Sequence, residues 1–127
     1  MDTNGFLLEN YVTPANMHDK EGAKRVLGGI KFRMPRLSLI FGDSGYRGKD
    51  LQEYLAHDGY KIEIITRNQK IFKIQPKRWI VERTLAWIDQ NRRMSKDYER
   101  YPQTSELLIK ICMIRLMVKR LATFTDF

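Results

Sequence analysis

The sequence predicts an α/β protein, in which short strands alternate with helices. Two patterns lead to this prediction. Short apolar or alternating runs that end at Pro or Gly are typical of strands, and longer segments with apolar residues three and four positions apart are typical of amphipathic helices. The chain has 127 residues, of which 43% are hydrophobic, so one core of ordinary domain size is expected.

The first half of the chain contains predicted strands and helices in alternation. Three runs share the strand pattern: residues 5–13, 37–41 and 61–66. Two segments share the helical pattern: residues 18–33 and 48–57. Pro14 ends the first strand, Pro35 follows the first helix, and Gly59 follows the second helix, in the places where such residues stop regular structure.

The second half begins with a basic stretch, residues 67–78, that has no regular period and is interpreted as a loop. Residues 78–93 predict a helix with a broad apolar face. A further helix is expected from a cap at Thr104 or Ser105 to about Ala122. Its apolar residues repeat at steps of four and three and predict a packing seam, which is more often part of a core than an oligomer interface. The seam consists of Leu107, Ile111, Ile114, Val118 and Leu121.

Two acidic motifs are the candidate catalytic residues. Asp43 follows the predicted strand 37–41, and Gly42 and Gly45 allow close backbone approach around it. Ligands gather at the carboxyl ends of strands in α/β sheets, which favours Asp43 over other acids. Glu82 lies on the predicted helix 78–93, where a glutamate is ordinarily a solvated surface residue. Two carboxylates on rigid elements are typical ligands of a divalent ion, Mg²⁺ or Mn²⁺, in phosphoryl transfer on nucleic acid.

The net charge of +8 lies entirely in the second half of the chain. Residues 1–60 carry eight basic and eight acidic side chains, whereas residues 61–127 carry fifteen and seven. Such asymmetry predicts a surface for a polyanion, with DNA the obvious candidate. By charge alone, a solvated basic face explains the count equally well.

Nine cations in this half are the candidate DNA-binding residues. They are Arg67, Lys70, Lys73, Lys77, Arg78, Arg83, Arg92, Arg93 and Lys96. The first four surround Phe72, which either stacks on a base or sugar or anchors a solvated connector. Arg92, Arg93 and Lys96 follow a helix end, where cations also compensate the helix dipole.

These motifs resemble the bacterial insertion-sequence transposases of the DDE class. The resemblance covers almost the whole chain, in the family's order. The motifs are Asp2-Thr-Asn-Gly-Phe-Leu-Leu8, Val12-Thr-Pro-Ala-Asn16, His18-Asp19, Gly42-Asp-Ser-Gly-Tyr-Arg-Gly48, Arg78-Trp-Ile-Val-Glu-Arg-Thr-Leu-Ala-Trp87 and Asn91-Arg-Arg-Met-Ser-Lys-Asp-Tyr-Glu-Arg100. The resemblance implies an RNase H-like domain with a mixed sheet flanked by helices. It also implies metal-binding roles for Asp43 and Glu82, as the family's second Asp and its Glu.

The chain departs from the family at its start. The family's first catalytic Asp would precede Met1, as would its N-terminal DNA-binding region, so residues 1–127 are expected to form one incomplete RNase H-like domain. Asp2 is an alternative third carboxylate, but it resembles the residue that closes the family's second strand, before a turn at Asn4-Gly5. We therefore expect the chain alone to be inactive.

Other candidate chemistry is weaker. His18-Asp19 and His57-Asp58 have no nucleophile motif beside them and are interpreted as helix boundaries. The single cysteine, Cys112, cannot form an internal disulfide and predicts a buried, reduced thiol. There is no basic-then-apolar leader, and cations interrupt the most apolar segment, so we expect no membrane span and a location in the bacterial cytoplasm, associated with the nucleoid.

Two classes of function follow from the sequence. The first is an enzyme, or part of one, that cleaves and transfers DNA strands with Asp43, Glu82 and Mg²⁺. The second is a non-catalytic fragment that binds transposon ends or pairs with full-length transposase through the seam. The expected partners are transposon-end and target DNA, with a homodimer or full-length transposase as the protein partner.

Overall fold

The structure is a computed structural model that describes residues 1–66 and 78–125. The chain divides into two compact units. The sheet unit is Thr13–Gln75, and the helical unit combines Met1–Val12 with Pro76–Phe127. The basic stretch predicted to form a loop lies outside the described residues, apart from Arg78. That the two units form a single catalytic domain stays a prediction.

The sheet unit follows the predicted alternation of helices and strands. Its elements are α1 (Asp19–Leu27), α2 (Ile30–Arg33), β1 (Leu39–Gly42), a 3-10 turn (Ser44–Tyr46), α3 (Lys49–His57) and β2 (Lys61–Ile64). The helix predicted over residues 18–33 is therefore two helices. The break comes at Gly28 and Gly29, because Gly29 takes a left-handed φ of 83° that a helix cannot continue through.

The two strands are parallel and joined through α3. Leu39 pairs with Lys61 and Gly42 with Ile64, so both carboxyl ends lie at the same edge of the sheet. A parallel pair needs a crossover connection, and α3 provides it. The core residues of this unit are Ile30, Leu51, Leu55 and Tyr60. The mixed sheet that we expected is not present among residues 1–66 and 78–125, where this parallel pair is the whole sheet.

The predicted strand at residues 5–13 is wrong. Residues 5–13 contain no strand, and all of them except Thr13 belong to the helical unit. Its polar groups bind a helix instead of a neighbouring strand, because the Val12 amide donates to Glu106 Oε1 at 2.9 Å and Asn10 Nδ2 donates to the Glu106 carbonyl at 3.2 Å. A strand pattern forms a strand only where a partner strand satisfies its backbone.

The helical unit is built on α4 (Arg78–Asp89) and α5 (Pro102–Thr125), with a 3-10 turn (Arg92–Met94) between them. Helix α4 ends earlier than the predicted residue 93, because the Asn91 side chain donates to the carbonyls of Trp87 and Ile88 at 3.1 Å each and so caps the last turn. Helix α5 begins at Pro102 rather than after Thr104, since proline has the φ of a first helical residue and no amide to satisfy.

A buried hydroxyl joins the start of the chain to α4. Thr84, with no exposed surface, donates to the Gly5 carbonyl at 2.6 Å and lies 3.0 Å from the Ile80 carbonyl. Gly5 has a φ of 86°, and a Cβ there would lie 2.8 Å from Thr84 Oγ1. The turn is closed by Asp2, whose Oδ1 accepts from the amides of Asn4 and Phe6 at 2.9 Å each. Asp2 therefore has a structural task.

The predicted seam of α5 is not a core. Its five residues are between 51% and 66% exposed. The buried residues of α5 are Ser105 and Met113, on the opposite face of the helix. Both faces have apolar residues at steps of three and four, so the pattern alone could not decide which one packs within the unit. Cys112 is half-buried rather than buried, and burial raises the pKa of its thiol.

Among the described residues, no helix has the length and apolar character needed to cross a membrane.

Candidate functional site

Asp43 lies where the sequence predicts, directly after β1 at the carboxyl edge of the sheet. It caps the 3-10 turn that follows, because its Oδ1 accepts a hydrogen bond from the Gly45 amide at 2.9 Å. The side chain remains exposed. The strand end and the turn thus fix the direction of the carboxylate while leaving it open to solvent.

A second carboxylate, Asp19 in the first turn of α1, lies close to Asp43. A Cβ placed on Gly45 would be 3.1 Å from Asp43 Oδ1 and 3.8 Å from Asp19 Oδ2, so both carboxylates lie beside Gly45, and a side chain there would require Asp43 to move slightly. Both negative charges affect the pKa of Tyr46. Burial, and then the negative charges of Asp19 and Asp43, raise the pKa of the Tyr46 hydroxyl.

The sequence motif His18-Asp19 was interpreted as a helix boundary, which is correct for Asp19. The proximity of Asp19 to Asp43 was not predicted. Twenty-four residues separate the two in the chain. No local pattern could have revealed their proximity, because it depends on how α1 packs against the turn after β1.

A polar groove of about 320 Å³ opens beside this edge. Its lining residues are His18, Asp19, Lys20, Glu21, Gly45 and Asp50. Two of these acids form ion pairs with Lys24, whose Nζ lies 2.8 Å from Asp50 Oδ2 and 3.1 Å from Glu21 Oε1. The hydrogen bond from Lys24 lowers the pKa of Asp50, and its bonds to Asp50 and Glu21 raise the pKa of Lys24. Asp19 and Asp43 are not paired with Lys24 in this way.

Among the described residues, no group of three or more His, Cys, Asp or Glu side chains is arranged to hold a metal ion. Asp43 belongs to the sheet unit and Glu82 to the helical unit.

Glu82 is exposed on α4 and pairs with Arg78 one turn earlier. Arg78 Nε donates to Glu82 Oε1 at 3.1 Å, and both side chains are exposed. This is the i,i+4 relation that the spacing predicts. The arginine holds the carboxylate in one orientation on the solvent side of the helix.

Arg83 lies on another face of α4, between two tryptophans. Its guanidinium carbon is 4.5 Å from the ring centroid of Trp79 and 4.7 Å from that of Trp87. One guanidinium nitrogen donates to the Asn4 carbonyl at 2.6 Å. The guanidinium carbon of Arg120 lies 4.2 Å from the centroid of the Trp87 ring. These stacked contacts tie the start of the chain and α5 to α4.

The remaining candidate cations fall into two groups. Those in the basic stretch lie outside the described residues: Arg67, Lys70, Lys73 and Lys77. Arg92, Arg93 and Lys96 are exposed after α4. Arg93 is engaged by Glu99, with its Nη2 at 2.7 Å and its Nε at 3.2 Å from Glu99 Oε1.

Comparison with known proteins gives one informative match. Residues 1–117 match the family model described as "Transposase DDE domain", a span that contains both acidic motifs and every candidate cation. No curated protein matches the chain, and no solved structure does either. The match covers most of the chain, which therefore belongs to the transposase family defined by the DDE domain.

Proposed function

We propose that this chain is part of a transposase catalytic domain which, when complete, cleaves and transfers DNA strands, with Asp43 and Glu82 each supplying an acidic ligand for Mg²⁺ or Mn²⁺. The observation that carries the proposal is the family match over residues 1–117, since transposases of this class use divalent metal ions. The exposed position of Asp43 at the carboxyl end of a parallel strand supports it.

The donor chemistry of the two side chains fits such an ion. Mg²⁺ and Mn²⁺ prefer carboxylate and water oxygens. Asp43 uses one oxygen for the Gly45 amide and remains exposed, while Glu82 is exposed and engages Arg78 through one oxygen. When bound, a divalent ion polarises phosphate oxygens and makes water or a 3′-hydroxyl a better nucleophile.

Arg78 has two successive tasks in this proposal. In the free protein it orients the Glu82 carboxylate through the 3.1 Å ion pair. An exposed pair of this kind stabilises a protein by less than about 1 kcal/mol. Breaking it therefore costs little, and the guanidinium can turn to a DNA phosphate, which it binds with two parallel hydrogen bonds.

The other cations contact the DNA backbone and not its bases. Exposed lysines and arginines bind phosphates without reading sequence. We assign this role to Arg92 and Lys96 and to the cations of residues 67–77, whereas Arg93 approaches DNA while still paired with Glu99. Of the candidate cations that the structure describes, Arg83 has the least freedom for it, because two rings and a carbonyl already hold its guanidinium.

The finer assignments belong to the same proposal. They are an RNase H-like catalytic domain, a bacterial insertion sequence as the mobile element, and a location at the nucleoid. Their support is the motifs at residues 42–48 and 78–87, together with the basic second half of the chain.

The test is Mg²⁺- or Mn²⁺-dependent cleavage and strand transfer on a plasmid that carries the element's ends. This chain and a version extended upstream are compared, each with Asp43→Ala, Glu82→Ala and, as a matched control, Glu53→Ala, which removes an exposed helical carboxylate. In whichever version cleaves DNA, the first two substitutions are expected to abolish cleavage and the control to leave it unchanged. Full activity of either Asp43→Ala or Glu82→Ala would show that the assignment is wrong.

A second candidate function, a non-catalytic fragment that pairs with another transposase chain, is favoured by the exposed face of α5. Ile111 and Val118 alternate there with Leu107, Ile114 and Leu121, and all five are more than half exposed. β-branched residues at one heptad position, with mostly leucine at the other, favour two-stranded coiled coils. We therefore propose a second copy of this helix as the occupant.

Light scattering after size-exclusion chromatography tests this second function. A dimer is expected at micromolar concentrations, and Ile111→Glu is expected to give a monomer because it places a charge in the seam. Lys119→Glu, on the same helix outside the seam, is expected to stay dimeric. A monomer of the unmodified chain at every concentration refutes the pairing.

A further inference from the structure

The loop between α4 and α5 carries two aromatic rings that are mostly exposed to solvent. In this segment, residues 92–101, which we name the tyrosine loop, Tyr98 is 69% and Tyr101 61% exposed. Tyr60, in the sheet unit, is 4% exposed, which is the ordinary situation for a ring that contributes to a core. Large exposed aromatic surface is more typical of a binding site.

Hydrogen bonds and an ion pair stabilise the conformation of the tyrosine loop. Asp97 Oδ1 accepts from the Glu99 amide at 3.1 Å and from Ser105 Oγ at 2.9 Å, and Ser105 is buried. Glu99 in turn binds Arg93 at 2.7 Å. The rings therefore project from a preorganised turn, so binding a ligand costs less conformational entropy.

The charges around the rings are complementary to an anion. Arg92, Lys96 and Arg100 are exposed, and among the described residues none of the three forms an ion pair with an acidic side chain. The Arg100 guanidinium carbon lies 5.7 Å from the centroid of the Tyr101 ring. The acids of the loop, Asp97 and Glu99, are occupied by the internal contacts. The tyrosine loop thus carries two exposed rings and three exposed cations.

From these features we propose that the tyrosine loop binds unpaired DNA, with Tyr98 and Tyr101 stacking on exposed bases and the three cations binding the adjacent phosphates. An exposed ring stacks on any base, whereas a base inside a duplex already has both faces covered. The proposal rests on the proposed function for the identity of the nucleic acid, because a protein that cleaves and transfers DNA strands acts on DNA.

Fluorescence anisotropy with labelled oligonucleotides tests the proposal without metal or cleavage. The probes are a single-stranded oligonucleotide, its abasic counterpart and the duplex. The variants are Tyr98→Ala with Tyr101→Ala, and Tyr98→Phe with Tyr101→Phe, which keeps both rings. Both positions are exposed, so the fold is expected to survive, and circular dichroism checks it.

The unmodified chain is expected to bind the single strand at least tenfold more tightly than the abasic strand. The alanine variant is expected to lose that preference on the order of tenfold or more, and the phenylalanine variant to keep it. Duplex affinity is expected to change much less in either variant.

Two results would overturn the tyrosine-loop proposal: no single-strand binding by the unmodified chain, or the same loss for the abasic strand and the duplex as for the single strand. These outcomes are distinct from failure of the proposed catalytic function, since the assay measures binding in the absence of metal and of cleavage. If Asp43→Ala and Glu82→Ala do not affect cleavage but the unmodified chain still prefers the single strand, the tyrosine-loop proposal holds and the catalytic assignment fails.

Discussion

Replacing Thr84 with valine removes one hydroxyl from the centre of the helical unit and keeps the shape of the side chain. In the native structure this hydroxyl donates to the Gly5 carbonyl at 2.6 Å, and Thr84 has no exposed surface. Gly5 is itself buried, so water does not easily replace the lost donor. The substitution leaves a buried carbonyl without its side-chain partner.

The expected cost follows from two terms. A buried acceptor that loses its hydrogen bond costs about 1–3 kcal/mol. A methyl group cannot approach a carbonyl oxygen as closely as the hydroxyl does, so the start of the chain must also move, and overpacking adds about 1 kcal/mol or more. The free energy of unfolding should therefore fall by about 2–4 kcal/mol. Thr84→Ser keeps the hydroxyl and loses one methyl, worth about 1 kcal/mol.

Urea unfolding followed by tryptophan fluorescence measures this difference. Both tryptophans of the chain, Trp79 and Trp87, lie on α4, so the signal reports on the helical unit. The midpoint should shift without a change in the slope of the free energy against urea concentration. If the valine variant is as stable as the unmodified protein, or if serine costs more than valine, the hydrogen bond does not have the assigned role.

Three further predictions test other contacts of the structure. Arg83→Met should lower the free energy of unfolding by about 1–3 kcal/mol and change tryptophan emission, because the cation between the two rings is lost; unchanged emission contradicts the stacking. Gly5→Ala should cost more than Gly29→Ala in urea unfolding. Both positions have a positive φ, which destabilises an alanine there by about 1–2 kcal/mol. Only a Cβ at residue 5 would also clash, at 2.8 Å from Thr84 Oγ1. Equal losses of stability in the two variants would contradict that clash. Cys112 should react with iodoacetamide more slowly than an unfolded control at pH 8, since burial raises its pKa and only the thiolate reacts. Its rate should rise toward that of the control in urea; a native rate equal to the control contradicts the burial.

Local patterns predicted the elements whose partners are nearby in the chain. The strand pattern at residues 37–41 and 61–66 corresponds to β1 and β2, and the helical pattern between them to α3, because a strand, its crossover helix and the next strand form one local unit. The same argument placed Asp43 at the carboxyl end of β1. It also placed Arg78 beside Glu82, since residues four apart on a helix are neighbours.

Patterns that depend on a distant partner were interpreted less well. Residues 5–13 have the composition of a strand, but they bind Glu106 of α5 across more than ninety positions of sequence. Helix α5 has apolar residues at helical spacing on two faces, and only packing selected the face that contains Met113. The ring contacts of Arg83 are local by contrast, since Trp79 and Trp87 each lie four residues away on its own helix, and its assignment to DNA stays a prediction.

The sequence by itself determined the family, through motifs whose order and spacing are linear properties of the chain. It also determined the charge asymmetry and the strand–helix–strand core of the sheet unit. Only the tertiary structure decided that Asp19 lies beside Asp43, that Thr84 donates to the Gly5 carbonyl, and that Tyr98 and Tyr101 face solvent. These features depend on how distant segments pack. Packing is driven by the burial of apolar surface over the whole fold, which no single position of the sequence determines.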